Sequence, residues 1–285
     1  MKKTTKIIAI ILSALMLVSV FTACNKKTDK KEKTPEVTEE VKELDPELNL
    51  SGTIPDGGAY HSVSGEVVGS TNGETQDFPK TLEYGDKFYY GDYNYIYSDG
   101  SITDGHKGWV AETDKKDQES YGKLLESING APVISINACF KDCVNLKYSP
   151  KIPETVYSMA SAYSGCTSLV QTPIFPESLI NMPKCFSGCM SLTMSSDIPE
   201  SVEDMSEAFY QCTNLIKAPV IPASVKNMKS AFAFCFSLEG EVTVNADPEN
   251  YDKCFDGTMN KFTLTGDTKL KAELAATSSV ENITY

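Results

Sequence analysis

Arginine is absent: all 26 basic residues are lysines, set against 39 acids, for a formal net charge of −13. No guanidinium can fork onto a guanine edge, and no surplus of positive charge offsets phosphate, so nucleic acid is excluded as a partner. Histidine is nearly absent too, with only His61 and His106, and Trp109 is the single tryptophan. A Cys–His or Ser–His pair needs a base held within hydrogen-bond reach of its nucleophile. His106 sits in Asp104-Gly105-His106-Lys107-Gly108, which has the composition of an exposed loop. There is no Gly-x-Ser-x-Gly elbow and no phosphate-binding loop. A carboxylate pair among the acids would leave no mark in the sequence. An enzyme would therefore need a polar pocket, for which the neighbourhood of His106 and Trp109 is the place to look. No cofactor and no metal is called for. Long apolar runs are missing apart from residues 7–20, which is short of the ~20 residues that span a bilayer.

What the chain has is a repeat. Cys143, Cys166, Cys189, Cys212 and Cys235 are spaced 23 residues apart. An aromatic stands three residues before each: Phe140, Tyr163, Phe186, Phe209 and Phe232. A leucine stands three after: Leu146, Leu169, Leu192, Leu215 and Leu238. Ile152, Phe175, Ile198 and Ile221 are each followed by proline, then come Val156, Leu179, Val202 and Val225, then Met159, Met182, Met205 and Met228. A fixed period of this length marks a solenoid. One such unit cannot bury its own apolar side chains, but stacked units align them into a continuous core. With coils one strand spacing apart, ~4.8 Å, six coils make a slab roughly 25–30 Å long.

Within a coil, Val202, Met205, Phe209 and Cys212 lie three or four apart, which predicts a short strand turning into a helical turn. Pro150, Pro173 and Pro219 recur inside the extended run that follows the leucines. Proline cannot donate to a neighbouring coil, so that run is predicted to be polyproline-like and the better ladder to lie at the Val-x-x-Met segments. A small polar column, Asn145, Ser168, Ser191, Asn214 and Ser237, is expected to satisfy backbone groups at a tight bend.

The unit Cys-x-[Asn/Ser]-Leu followed by Ile-Pro-x-x-Val-x-x-Met-x-x-Ala-Phe-x-x-Cys resembles the BspA-like leucine-rich repeats of bacterial surface proteins. The resemblance covers residues 131–261. It departs from the family where methionine replaces the frequent Ile-Gly, a feature similar to a Met-rich class of repeats in lipoproteins. The last unit, with Pro248, Tyr251, Cys254, Phe255 and Thr258, is degenerate, as a terminal coil would be. The resemblance implies an α/β leucine-rich-repeat solenoid that is surface-exposed and binds protein or adheres; it names no ligand.

The leader points the same way. Lys2, Lys3 and Lys6 precede the apolar run, and Phe21-Thr22-Ala23-Cys24 resembles a lipobox, which implies lipidation of Cys24. The competing reading is an uncleaved membrane anchor. Either way the body is expected outside the cytoplasmic membrane and tethered to it. Residues 1–23 read as the signal peptide. Residues 24–76 read as a polar stalk and linker, with a loose hairpin as the alternative for residues 51–76. Residues 77–130 read as a β-rich N-terminal cap in which Tyr93, Tyr95 and Tyr97 alternate on one face. Those rings are expected to cover the open end of the first coil with their hydroxyls in water, the alternative being a sugar-stacking stripe. A short helix is predicted over residues 120–128, six 23-residue units over residues 131–261, and a β-α-β cap over residues 262–285.

Beyond Cys24 there are eight more cysteines. Pointing into the core, they are read as buried thiols, with a disulfide or a metal as weaker alternatives, since parallel column vectors disfavour the disulfide dihedral and no histidine lies in the array. The expected function is a non-enzymatic, lipid-anchored surface protein that binds a protein or extracellular-matrix partner, with a passive envelope spacer as the rival. The expected binding face is the set of positions that vary between coils at the ladder: Tyr157, Ile180, Glu203 and Lys226, with Ala160, Pro183, Ser206 and Lys229.

Overall fold

Each coil takes most of its backbone hydrogen bonds from its two neighbours, and that requirement shapes the molecule. The computed structural model describes residues 49–69, 76–101, 103–266, 268–277 and 282–285. The signal peptide, Cys24 and the stalk as far as residue 48 lie outside the described residues.

The elements run β1 (Asn49–Leu50), β2 (Ala59–His61), β3 (Val67–Gly69), β4 (Lys87–Tyr90), β5 (Tyr93–Ser98), β6 (Gly108–Glu112), β7 (Ser127–Ile128), β8 (Ala131–Ser135), β9 (Gly240–Thr243), β10 (Phe262–Thr265), α1 (Lys269–Thr277) and β11 (Ile283–Thr284). The first eight form one sheet in the order β1-β7-β8-β6-β5-β4-β2-β3. Residues 49–69 are thus part of the cap sheet rather than linker, with β2 and β3 forming an antiparallel hairpin. What fixes them is a buried carboxylate. Asp86 accepts from the Tyr60 hydroxyl, from Val63 N at 3.1 Å and from Glu83 N at 2.7 Å. Gly108 lets β6 lie close to β8, since a Cβ there would meet Pro132 O at 2.4 Å.

The cap and the repeats share one strand. β8 pairs parallel with β6, and its last residue, Ser135, opens a ladder of parallel bridges through Ser158, Asn181, Asp204, Asn227 and Asn250. This ladder lies at the Val-x-x-Met segments, as the prolines predict. Both ladders are built of single-residue bridges, but the extended run links fewer coils, through Gln171, Met194 and Lys217 and again between Ile221 and Val244. At the far end β9, β10 and β11 form a parallel sheet, with α1 between β10 and β11.

Two helical expectations are corrected. Residues 120–126 contain no helix. A helix would bond Leu125 N to residue 121, but that amide donates to Tyr95 Oη at 3.1 Å and Gly122 N donates to Asp92 Oδ2 at 2.7 Å. Tertiary acceptors outbid the local one, and the adjacent Leu124 and Leu125 are both buried. The Met-to-Cys segment of each coil is likewise no helical turn. Its amides alternate in partner. Met159, Ser161, Tyr163 and Gly165 donate across to Asn181, Pro183, Cys185 and Ser187, while Ala162, Ser164 and Cys166 donate back three residues within the coil. That alternation requires two left-handed residues per coil. One column is Ala138, Ser161, Lys184, Glu207, Ser230 and Lys253, at φ of 51–56°. The other is Asp142, Gly165, Gly188, Gln211, Phe234 and Gly257, at 57–78°. Only three of these twelve are glycine, so the cost of φ above zero at the others is met by the inter-coil bonds it permits.

The core is a stack of columns. Phe140, Tyr163, Phe186, Phe209, Phe232 and Phe255 form a spine with centroids 5.1–5.7 Å apart and planes within 17° of parallel. Rings at an angle close both ends: Tyr121 and Tyr93 against Phe140 at 65° and 86°, and Phe262 against Phe255 at 53°. Tyr93 therefore does cover the first coil. Its hydroxyl does not reach water, however; it donates to Gly122 O at 2.7 Å, while Tyr95 Oη accepts from Leu125 N.

Candidate functional site

The thiols are the first chemistry to place. All eight described cysteines are buried and free. Cys139, Cys185 and Cys254 occupy the alanine column beside the aromatics, alongside Ala162, Ala208 and Ala231. In the main column every thiol after Cys143 donates to the carbonyl of the aromatic residue one coil back. Cys166 reaches Phe140 O at 3.0 Å, and Cys189, Cys212 and Cys235 reach Tyr163, Phe186 and Phe209 O at 3.1 Å. Each of these carbonyls also accepts the amide of the cysteine in its own coil. Burial pushes the thiols up, Cys235 and Cys254 to about 12, so they are neither thiolate nucleophiles nor ready metal ligands at neutral pH. Among the described residues no group of three or more His, Cys, Asp or Glu could hold a metal ion. His106 stacks on Tyr157 at 3.9 Å, and Trp109 is fully buried with its indole N–H on Ile128 O. His106 Nδ1 lies 3.1 Å from Thr103 O.

The ladder face is partly closed. Tyr157 is 6% exposed, covered by the loop that carries His106, and its hydroxyl donates to Thr103 O at 2.8 Å. It leaves the expected binding face and becomes part of the joint between cap and repeats. Ile180 is half-buried, while Glu203 and Lys226 are exposed and paired with each other at 2.8 Å. Ala160, Pro183 and Ser206 are half-buried and Lys229 is exposed. Lys184 and Glu207 pair at 3.4 Å along the same face. Both of these ion pairs run from one coil to the next.

Two columns of this side carry backbone roles that sequence reasoning passed over. Asp204 Oδ1 and Asn227 Oδ1 accept the amides two residues on, at 2.8 and 3.2 Å, and Ser135 Oγ does the same at 3.2 Å. The Ser178, Ser201 and Ser224 hydroxyls each lie 2.7 Å from a carbonyl of the preceding coil. Both columns recur every 23 residues and were there to be found. The serine column, and not the Asn145–Ser237 column, staples the coils, while the Ser135, Asp204 and Asn227 side chains bond within their own coil; Asn145 donates to Asp117 O in the cap, and the rest of that column is exposed or half-buried.

The opposite face is open. Across four coils, exposed apolar side chains come in pairs four residues apart: Val144 and Tyr148, Val170 and Ile174, Met190 and Met194, Ile216 and Val220. Apart from the half-buried Val170 they are 45–84% exposed, Ile174 most of all. The coils are held in register here by Thr193 N on Val170 O and Ile216 N on Thr193 O. The pairs at 144/148 and 190/194 share one register, and those at 170/174 and 216/220 sit three residues further along the 23-residue period, so the apolar residues of this band zigzag from coil to coil between polar ones. Two clefts flank Ile174. One, of about 270 Å³, runs from Tyr148 to Pro173. The other, of about 460 Å³, lies between Ile174 and Pro199. Isolated exposed apolar residues need no explanation, but a pair in each of four successive coils makes this face a candidate contact surface. The signal was legible, since Ile174, Met190, Met194, Ile216 and Val220 stand at positions that break the column rule.

The profile of the BspA type leucine rich repeat region matches residues 134–261 in 6 copies. Two solved structures are similar. One is the T. pallidum leucine rich repeat protein, TpLRR, 23% identical with a TM-score of 0.40 over 53% of this chain and 82% of that one. The other is a leucine-rich repeat protein from Bacteroides ovatus ATCC 8483, 20% identical with a TM-score of 0.40 over 64% of this chain and 57% of that one. No curated protein matches. Residues 134–261 of this chain are a BspA-type leucine-rich repeat region.

Proposed function

We propose that the chain is a non-enzymatic surface protein whose repeats bind a protein partner through the apolar band, with lipid on Cys24 holding it to the outer face of the cytoplasmic membrane. The single observation that carries the binding reading is the band itself, with Ile174 at 84% exposure in the middle of four ordered coils. Rigid scaffold beneath and apolar surface above is the arrangement in which anchors bind at little entropic cost. The ion-paired ladder face offers less, because a partner there would have to displace Glu203 from Lys226.

The full chain is expected to bind at least one extracellular-matrix protein or cell-surface preparation. The variant Ile174→Ser/Met194→Ser should weaken that binding by ~10-fold or more, with its melting temperature unchanged because both residues are exposed. Loss in Glu203→Ala/Lys226→Ala with retention in the band variant would move the site back to the ladder face. No binding to any preparation would favour the spacer. The anchor has its own test. Cys24→Ala is expected to shift the protein from the membrane fraction to the soluble fraction and to abolish incorporation of a labelled fatty acid; a variant that still labels would rule out this cysteine.

A further inference from the structure

The larger cleft is built of two unlike parts. Its floor is apolar and rigid: Phe175, Ile198 and Pro199 are buried, and the Phe175 ring rests 5.9 Å from Phe186 of the aromatic spine. Its rim is acidic. Glu177, Asp197 and Glu200 are all exposed and have no cationic partner among the described residues. Some carboxylates on or beside the repeats do have one: Glu203 with Lys226, Glu207 with Lys184, and from the cap Glu119 with Lys147 and Glu126 with Lys151; what sets Glu177, Asp197 and Glu200 apart is that the three line one cleft. Three unneutralised carboxylates around one apolar floor are a charge pattern that awaits its complement.

A second copy does not supply it. A two-fold axis that pairs the band with itself would run between the Ile174 and Met194 coils. It would set the acidic rim against its own image and bring Lys147 and Lys151 against Lys217. A net charge of −13 adds to that repulsion. The surface asks for the opposite sign.

We propose that the cleft between Ile174 and Pro199 takes a lysine- or arginine-bearing segment of a partner protein, with one bulky apolar side chain seated on Phe175, Ile198 and Pro199 and its flanking cations facing Glu177, Asp197 and Glu200. This rests on the reading of the apolar band as the binding face and adds the chemistry of its occupant. Burial of the anchor supplies affinity, and the rim supplies orientation and on-rate.

The test is fluorescence anisotropy on the full chain with three labelled peptides of about twelve residues. One carries several lysines around two leucines one helical turn apart. The second has glutamate for each lysine, and the third has serine for each leucine. The lysine–leucine peptide is expected to bind, and to bind more weakly as salt rises from about 50 to 300 mM. The glutamate and serine peptides should each bind at least ~10-fold more weakly. Glu177→Gln/Asp197→Asn/Glu200→Gln, all surface changes, should weaken the lysine–leucine peptide by a similar factor, and so should Ile174→Ser. Equal binding of the glutamate peptide, or an unchanged affinity in the neutralised variant, would overturn the proposal. If the glutamate peptide binds and Ile174→Ser abolishes it, the band remains a binding face and only its basic occupant falls. If Ile174→Ser changes nothing while neutralisation abolishes binding, the contact is charge alone and the apolar seat falls. A concentration-dependent dimer in sedimentation that Ile174→Ser dissolves would assign the cleft to a second copy instead.

Discussion

Phe186→Ala is expected to destabilise the protein by about 3–5 kcal/mol and to lower its melting temperature by roughly 10 °C. Phe186 is fully buried in the spine, stacked on Tyr163 at 5.4 Å and Phe209 at 5.5 Å, with Phe175 against its edge at 5.9 Å. Truncation leaves a void bounded on both sides by rings whose own positions are fixed by inter-coil backbone bonds at 2.8 Å from Tyr163 N and Phe209 N. The walls cannot collapse without breaking those bonds, which places the cost toward the upper part of the range. Phe186→Leu keeps much of the volume and should cost about half as much. Urea titration of the two variants decides it: a loss below about 1 kcal/mol for Phe186→Ala would mean that the spine is not what holds the coils together.

Raising the pH should unfold the protein through its thiols. A buried thiol with a raised pKa holds its proton more firmly folded than unfolded. Its contribution is whole below the ordinary thiol value, near 9, and is lost as pH rises through the folded value, about 12 for Cys235 and Cys254. Burial raises Cys166, Cys185, Cys189 and Cys212 as well, so several groups act in the same direction. Each costs about 1.4 kcal/mol per pH unit in that window. Stability is therefore expected to hold to about pH 8 and to fall steeply from about 9 upward. The double variant Cys189→Ala/Cys212→Ala should begin less stable and fall less steeply. Cys189→Asp places the same charge in the column at neutral pH and should cost several kcal/mol there. Urea midpoints measured from pH 7 to 10.5 check all three, and a midpoint that stays level to 10.5 in the parent chain would refute the mechanism.

The sequence made the columns legible because a column repeats its side-chain chemistry every 23 residues. The spine, the buried thiols, the leucines and the place of the main ladder all follow from that period together with the three prolines. The turn segment was harder. Spacings of three and four suit a helix, and what replaces the helix is a set of left-handed residues such as Ala138, Lys184 and Glu207, whose identities give no hint of φ above zero. The candidate site was legible only in part. Variation between coils pointed to Tyr157, but a loop of the cap, the one bearing His106, buries it, and no periodic signal reports what a distant loop covers. The helix predicted at residues 120–128 failed for the same reason, since Asp92 and Tyr95, about 30 residues away, supply its acceptors. The open face carries no periodic signal, because its apolar residues fall outside the columns that repeat every 23 residues.

The offsets of the stapling bonds have a consequence for how such a chain changes over generations. The thiols reach back 26 residues and the serine hydroxyls 22, and the offsets are the same in each coil where they occur. Every partner thus lies in the adjoining coil. Insertion or loss of one whole unit restores each of these bonds with a new partner of the same kind, whereas a change of another length shifts out of register the bonds that span it. The solenoid can therefore grow or shrink in single steps under selection, keeping both caps intact, while the band on its open face is rewritten one pair of residues at a time.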